Sequence, residues 1–143
     1  MADKDKDLAP KFEVAENAKD IIARYETAGL KVTVDDRGAS VVVRLAGRMT
    51  LGESTSLFRY QIRELLARPG AKKIIVDLSG VTYVDSTGLA ELVSAYTVSR
   101  NAGVDLVLAS LQKKVHDLMQ LTKLFTVFNV YPTAEDALSA HES

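Results

Sequence analysis

Lys72-Lys73-Ile74-Ile75-Val76-Asp77-Leu78 is a short, nearly continuous apolar run, bounded by lysines on one side and by Ser79-Gly80 on the other. A segment of this length, rich in β-branched residues, reads as a central strand covered on both faces. The flanking sequence offers the covering helices. Between Gly52 and Pro69, Leu57, Phe58, Ile62, Leu65 and Leu66 recur on one helical face, with Arg59, Arg63 and Glu64 left to solvent. After Asp85 the helical period returns in Leu89, Leu92, Val93 and Tyr96, and Asn101-Ala102-Gly103 ends it. Val104 to Leu108 reads as another strand, and Val115, Leu118, Met119 and Leu121 mark a third helix. Thr126 to Val130 reads as a last short strand, followed by a helix from Thr133 to Ala140 that Pro132-Thr133 opens.

Upstream, Lys31 to Val34 and Val41 to Leu45 flank Asp35-Asp36-Arg37-Gly38, whose turn chemistry makes the pair a hairpin. Before it, Val14, Ala18, Ile21, Ile22 and Tyr25 fall at helical spacing up to Gly29, which predicts an amphipathic helix. The polar stretch from Met1 to Lys11, with Pro10, reads as a lead-in. The fold class is therefore α/β. An N-terminal hairpin leads into a mixed sheet covered by about four helices, with right-handed crossovers between parallel strands and an extra helix in front. The expected division is an extension over 1–30 and one domain over 31–143.

Composition narrows the chemistry. The 143 residues contain no cysteine, so no disulfide, thiolate metal site or cysteine nucleophile forms, and His116 and His141 are the only imidazoles. A formal charge of −1 provides no positive field for nucleic acid or anionic membrane, which points to protein partners. The N-terminus is charged with no apolar signal core, and no apolar run approaches the ~20 residues of a membrane span, so the expected location is cytoplasmic. No Gly-x-Ser-x-Gly elbow, dinucleotide fingerprint or phosphate loop is present. Neither a cofactor nor a metal is expected, and no residue is assigned as catalytic. Asp77 reads as a turn cap, and Tyr60, Tyr83, Tyr96 and Tyr131 read as core and rim packing.

Val81-Thr82-Tyr83-Val84-Asp85-Ser86-Thr87-Gly88-Leu89 places an aspartate, two hydroxyls and a glycine where an extended segment enters a helix. Asp, Ser and Thr are all good helix N-caps, and one of them accepting an amide two or three residues on is sufficient reason for the pattern. A hydroxyl on a first helical turn is also open to phosphorylation, because the amides there favour anions, and the new charge would act on any protein docked over the helix start. Both readings fit these residues, and Gly88 serves either close approach or close helix packing.

The stretch from Ile74 to Leu89 closely resembles the signature of the STAS domain, especially its bacterial anti-sigma factor antagonist branch. Arg44-Leu45-Ala46-Gly47 resembles the family's second strand and its glycine, Asn101 to Leu108 its later turn and strand, and Val115-His116-Asp117-Leu118 through Leu124-Phe125 its third helix and exit. The resemblance covers about Lys31 to Ala140.

It implies a non-enzymatic partner switch. The unphosphorylated antagonist binds an anti-sigma factor that is also a serine kinase of the histidine-kinase-like ATPase type; phosphorylation breaks the complex and a protein phosphatase resets it. The family's phosphoacceptor directly follows the aspartate, which makes Ser86 the first candidate and Thr87 the second. Asp85, Ser86, Thr87, Gly88 and Leu89 then face the partner, together with Thr50 in the neighbouring loop. Antagonists commonly carry acids directly after the second-strand glycine and three positions after it; here Arg48 and Thr50 stand there. An arginine attracts a nearby phosphate. The N-terminal extension suggests a homodimer arm or a stressosome-like assembly, and a non-switching STAS scaffold is the alternative reading. A serine hydrolase built on Ser86 is the remote one, since no triad is visible.

Overall fold

The computed structural model describes residues 11–14, 21–27 and 29–140, with side chains from residue 26 onward. In chain order the elements are β1 (Lys11–Val14), β2 (Ile21–Thr27), β3 (Leu30–Arg37), β4 (Ser40–Met49), α1 (Glu53–Ala67), β5 (Lys73–Val84), α2 (Ser86–Asn101), β6 (Asp105–Ala109), α3 (Lys113–Leu121), a 3-10 turn (Leu124–Thr126), β7 (Val130–Tyr131) and α4 (Ala134–Ser139). The strands form one sheet in sequence order. Strands β1 to β4 pair antiparallel and β4 to β7 parallel.

This order dictates where the helices lie. Each parallel step moves one strand in the same direction, so right-handed crossovers place α1, α2 and α3 on the same sheet face. Strand alternation sends Val41, Val43, Leu45, Ile74, Val76, Leu78, Leu106 and Leu108 to that face, where they meet Leu57, Phe58, Ile62, Leu92, Val115 and Met119 in the main core. The alternate residues Val42, Ile75, Val107 and Ala109 form a second, small cluster under Ala134 and Ala137 of α4. Lys73, buried below α4, donates from Nζ to the carbonyls of Ala137 and Ala140, both at 3.1 Å, and holds that helix by its C-terminus.

The rest of the second face is polar. Asp35 accepts from Arg37 Nε at 3.0 Å and from Arg44 Nη1 at 3.1 Å, and Arg44 Nε stands 3.6 Å from Asp77. The Arg37 hydrogen bond, and next to it that of Arg44, hold the Asp35 carboxyl below its usual range against the opposing effect of burial. Asp77, expected to cap a turn, instead stays within β5, where it accepts from the Ser79 amide at 2.9 Å beside a register shift against β4.

The three crossover helices and the Thr133-capped α4 stand where the sequence places them; in the hairpin, Asp35 to Arg37 belong to β3 and the turn narrows to Gly38-Ala39, and the central strand runs on through Ser79-Gly80 to Val84. Two further expectations need correction. The amphipathic helix expected before Gly29 is not a helix in its described part: Val14 lies in β1, and Ile21, Ile22 and Tyr25 lie in β2, while Ala18 is outside the described residues. Strand β2 lies along the otherwise open edge of β3, with Thr27 opposite Leu30, so ladder hydrogen bonds outweigh a helical spacing read from five positions. The last strand is Val130–Tyr131 rather than Thr126–Val130. Lys123 adopts a left-handed conformation (φ 61°) that starts the 3-10 turn, and Phe128 leaves the sheet to pack edge-on against Tyr96 at 5.4 Å.

Candidate functional site

Strand β5 ends at Val84 and α2 begins at Ser86, with Asp85 between them as the helix N-cap. Its Oδ1 accepts the Gly88 amide at 2.8 Å and its Oδ2 accepts the Leu51 amide at 2.9 Å. Its own amide donates to the Met49 carbonyl at 3.1 Å. One residue thereby ties the start of α2 to the end of β4 and to the loop over 50–52. The Gly88 amide, followed by that of Leu51, holds the Asp85 carboxyl below the usual carboxylate range, with a smaller contribution from the Thr87 amide.

Gly88 makes this joint possible. A Cβ at this position would lie 2.3 Å from the Met49 carbonyl oxygen and 2.9 Å from Met49 Cβ. The helix start is therefore seated directly on the β4 backbone. On the other side of the loop, the Thr50 amide donates to Ser54 Oγ at 2.9 Å and Ser54 Oγ donates to the Thr50 carbonyl at 2.8 Å. Loop 50–52 is thus fixed from α1 and from Asp85.

The sequence-predicted residues come together here. Ser86 is exposed on the first turn of α2, Thr87 and Leu89 are half-buried, Gly88 is buried, and Thr50 stands in the loop that Asp85 holds. Leu89 packs against the main core, so its main role is to anchor the turn. Asp85 does the capping, and among the described residues the Ser86 hydroxyl has no hydrogen-bond partner. Thr87, half-covered, is the less accessible of the two hydroxyls.

Two residues that the sequence does not assign to the site complete the surface. Leu51, between Thr50 and Gly52, is 77% exposed, and Tyr83, read as core or rim packing, is 47% exposed. Arg48 stands over the Tyr83 ring at 5.3 Å. Next to Tyr83 a cleft of about 230 Å³ opens, lined by Val84, Lys114, Val115 and Leu118. A leucine directly before Gly52, outside the helical period that starts beyond it, is the available sequence signal for Leu51. The site thus joins an exposed hydroxyl, a helix N-terminus, exposed apolar side chains and two cations.

The imidazole of His116 lies on α3 against Phe125 at 4.9 Å and 3.7 Å from the Asp117 carboxylate; His141 is outside the described residues. Among the described residues no cluster of three or more acidic or histidine side chains could hold a metal, and no helix is long and apolar enough to cross a membrane.

Comparison with known proteins bears on family and fold. The family model of the STAS domain matches residues 31–137. The anti-sigma F factor antagonist of Paenibacillus polymyxa is 23% identical over 113 residues, which is 79% of this chain and 96% of that protein. Among solved structures, an anti-sigma factor antagonist from Mycobacterium paratuberculosis superposes with a TM-score of 0.69 at 23% identity, over 80% of this chain and 95% of that one. The anti-sigma factor antagonist SpoIIAA, a Bacillus cell fate determinant, superposes in its unphosphorylated form with a TM-score of 0.64 at 18% identity, over 75% of this chain and 92% of that one. Its phosphorylated form superposes at 0.60 with 17% identity, over 75% and 96%. At these identities the structural likeness establishes the fold.

Proposed function

The chain belongs to the STAS domain family, and on that premise we propose that it is an anti-sigma factor antagonist switched by phosphorylation of Ser86. Without the phosphate it binds an anti-sigma factor that is also a serine kinase, and the phosphorylated form is released. It acts by binding, as substrate and partner rather than as an enzyme, and it works in the cytoplasm. The observation that carries the reading is the division of labour at the start of α2: Asp85 spends both carboxylate oxygens on the Gly88 and Leu51 amides, and Ser86 stands exposed beside it.

The reaction asks little of this chain. Ser86 Oγ attacks the γ-phosphorus of ATP bound to the kinase, the bond to the β-phosphate oxygen breaks, ADP leaves and the hydroxyl proton passes to a kinase base. The product carries about −1.5 to −2 charges at a helix start whose amides tolerate an anion, so the fold persists. A docked partner does not tolerate it, because covering a charged, hydrated phosphate beside Leu51 and Tyr83 costs more than the contact gains. A protein phosphatase restores the serine with water.

The test is incubation with the host's histidine-kinase-like anti-sigma factors and ATP, followed by mass spectrometry. A single phosphate on Ser86, absent in Ser86→Ala, is the expected result. Labelling that persists in Ser86→Ala and disappears in Thr87→Ala would move the switch to Thr87. No labelling by any kinase, with Ser86→Asp leaving every partner affinity unchanged, would make the chain a non-switching scaffold.

A further inference from the structure

Arg48, near the end of β4 and opposite Tyr83 of β5, is held in an unusual way. Arg48 has no carboxylate partner among the described residues, and its guanidinium rests on the exposed face of Tyr83 at 5.3 Å. Its backbone is fixed: the Arg48 amide donates to the Gly29 carbonyl at 2.7 Å. Gly47 before it, at φ 116°, lies so close to the same carbonyl that a Cβ there would stand 2.2 Å away. In the β4–β5 ladder Arg48 pairs with Tyr83 and Met49 with Val84, and Met49 in turn accepts the Asp85 amide. From Tyr83 to Ser86 is three residues, at most about 10 Å of extended chain.

Asp85 is committed to the Gly88 and Leu51 amides, so it does not draw the guanidinium away. Glu53, at the start of α1, accepts from Thr27 Oγ1 at 2.6 Å. Lys114 lies across the cleft from Tyr83 and is the second cation.

We propose that Arg48 is the intramolecular counter-ion of a phosphate on Ser86. On phosphorylation the guanidinium leaves the Tyr83 ring and donates to the phosphate oxygens, because charge-assisted, two-pronged hydrogen bonds outweigh a solvent-exposed cation–π contact. Phosphorylation then does two things to the docking face: it adds a dianion and it withdraws a cation from Tyr83. The proposal rests on the reading of Ser86 as phosphoacceptor and concerns how the modified state is held.

It is tested on the full chain with phosphoserine installed at position 86 by genetic code expansion, followed by phosphorus NMR through a pH titration. The second phosphate ionisation is expected below its ordinary value of about 6. Arg48→Gln is expected to raise it by about half a pH unit or more, a roughly threefold gain in proton affinity. Lys114→Gln should move it less, and Arg63→Gln, an exposed arginine on α1, should not move it. Superimposable titrations of Arg48→Gln and the parent overturn the proposal, as does an equal shift from Arg63→Gln or a larger one from Lys114→Gln. No kinase is needed, so failure here leaves the phosphoacceptor reading intact, and failure of kinase labelling leaves this titration valid.

Discussion

Gly88→Ala is the substitution that most sharply probes how the start of α2 is built. Two effects oppose each other. Alanine is the better helix former by about 1 kcal/mol in a helix interior, and less than that in a first turn. Against this, the new Cβ would sit 2.3 Å from the Met49 carbonyl oxygen, where ordinary contact needs about 3.5 Å. The helix start must therefore retreat by roughly 1 Å from a main-chain atom that has no rotamer to yield. Such overpacking costs about 1–3 kcal/mol, and the retreat strains the Asp85 bonds to Met49 and Leu51 as well. The net expectation is a loss of about 1–2 kcal/mol, which for a chain of this size lowers Tm by roughly 3–8 °C. Urea unfolding with a common m-value measures it, with Ser94→Ala on the exposed middle of α2 as a control within about ±0.5 kcal/mol. Hydrogen exchange at the Leu51 amide should accelerate together with the loss of stability. An unchanged or raised midpoint with unchanged exchange at Leu51 would refute the claim that α2 is seated on the β4 backbone.

Other consequences are as direct. Arg44→Leu leaves Asp77 without its guanidinium and Asp35 with Arg37 alone, and is expected to cost about 1–3 kcal/mol by chemical unfolding. The Asp35 carboxyl is held low in the fold, so its stabilisation is present above the unfolded value near 3.9 and lost as pH falls through the lower folded value. Acid unfolding of Arg44→Leu should therefore begin at higher pH than that of the parent. Lys73→Met removes both hydrogen bonds to the end of α4, and faster amide exchange over residues 134–140 is expected while the exchange of α2 stays unchanged. Leu51→Ala should leave the unfolding midpoint within about 0.5 kcal/mol, because the side chain is exposed, and yet weaken binding to the anti-sigma factor.

Much of this was legible in the sequence where periodicity and punctuation agree. Ile74 to Leu78 had to be a covered strand, the Leu57–Leu66 and Leu89–Tyr96 patterns were helices bounded by glycines or Asn101-Ala102-Gly103, and Asp85 to Leu89 marked the helix start. Signals failed where tertiary pairing decides. The spacing of Ile21, Ile22 and Tyr25 fits a helix as well as a strand, and only the open edge of β3 selects the strand. Phe128 is β-favouring in isolation, yet its ring goes to Tyr96. Within the site, the residues that bring the loop over 50–52 to the helix start act through backbone amides, Leu51 to Asp85 and Asp85 to Met49, and no side-chain pattern encodes such bonds. The exposure of Tyr83 likewise follows from the register that puts it opposite Arg48 rather than from its residue type.

The proposed switch comes down to a difference between two forms of one chain. Calorimetric titration of the host's histidine-kinase-like anti-sigma factors with the unmodified chain, and with the chain carrying phosphoserine at 86, measures that difference directly. One of them should bind the unmodified form and lose at least about 100-fold in affinity for the phosphorylated form, while Ser86→Ala stays bound in the presence of ATP. Equal affinity for the two forms across all of these partners would contradict the assignment of Ser86 as the switch.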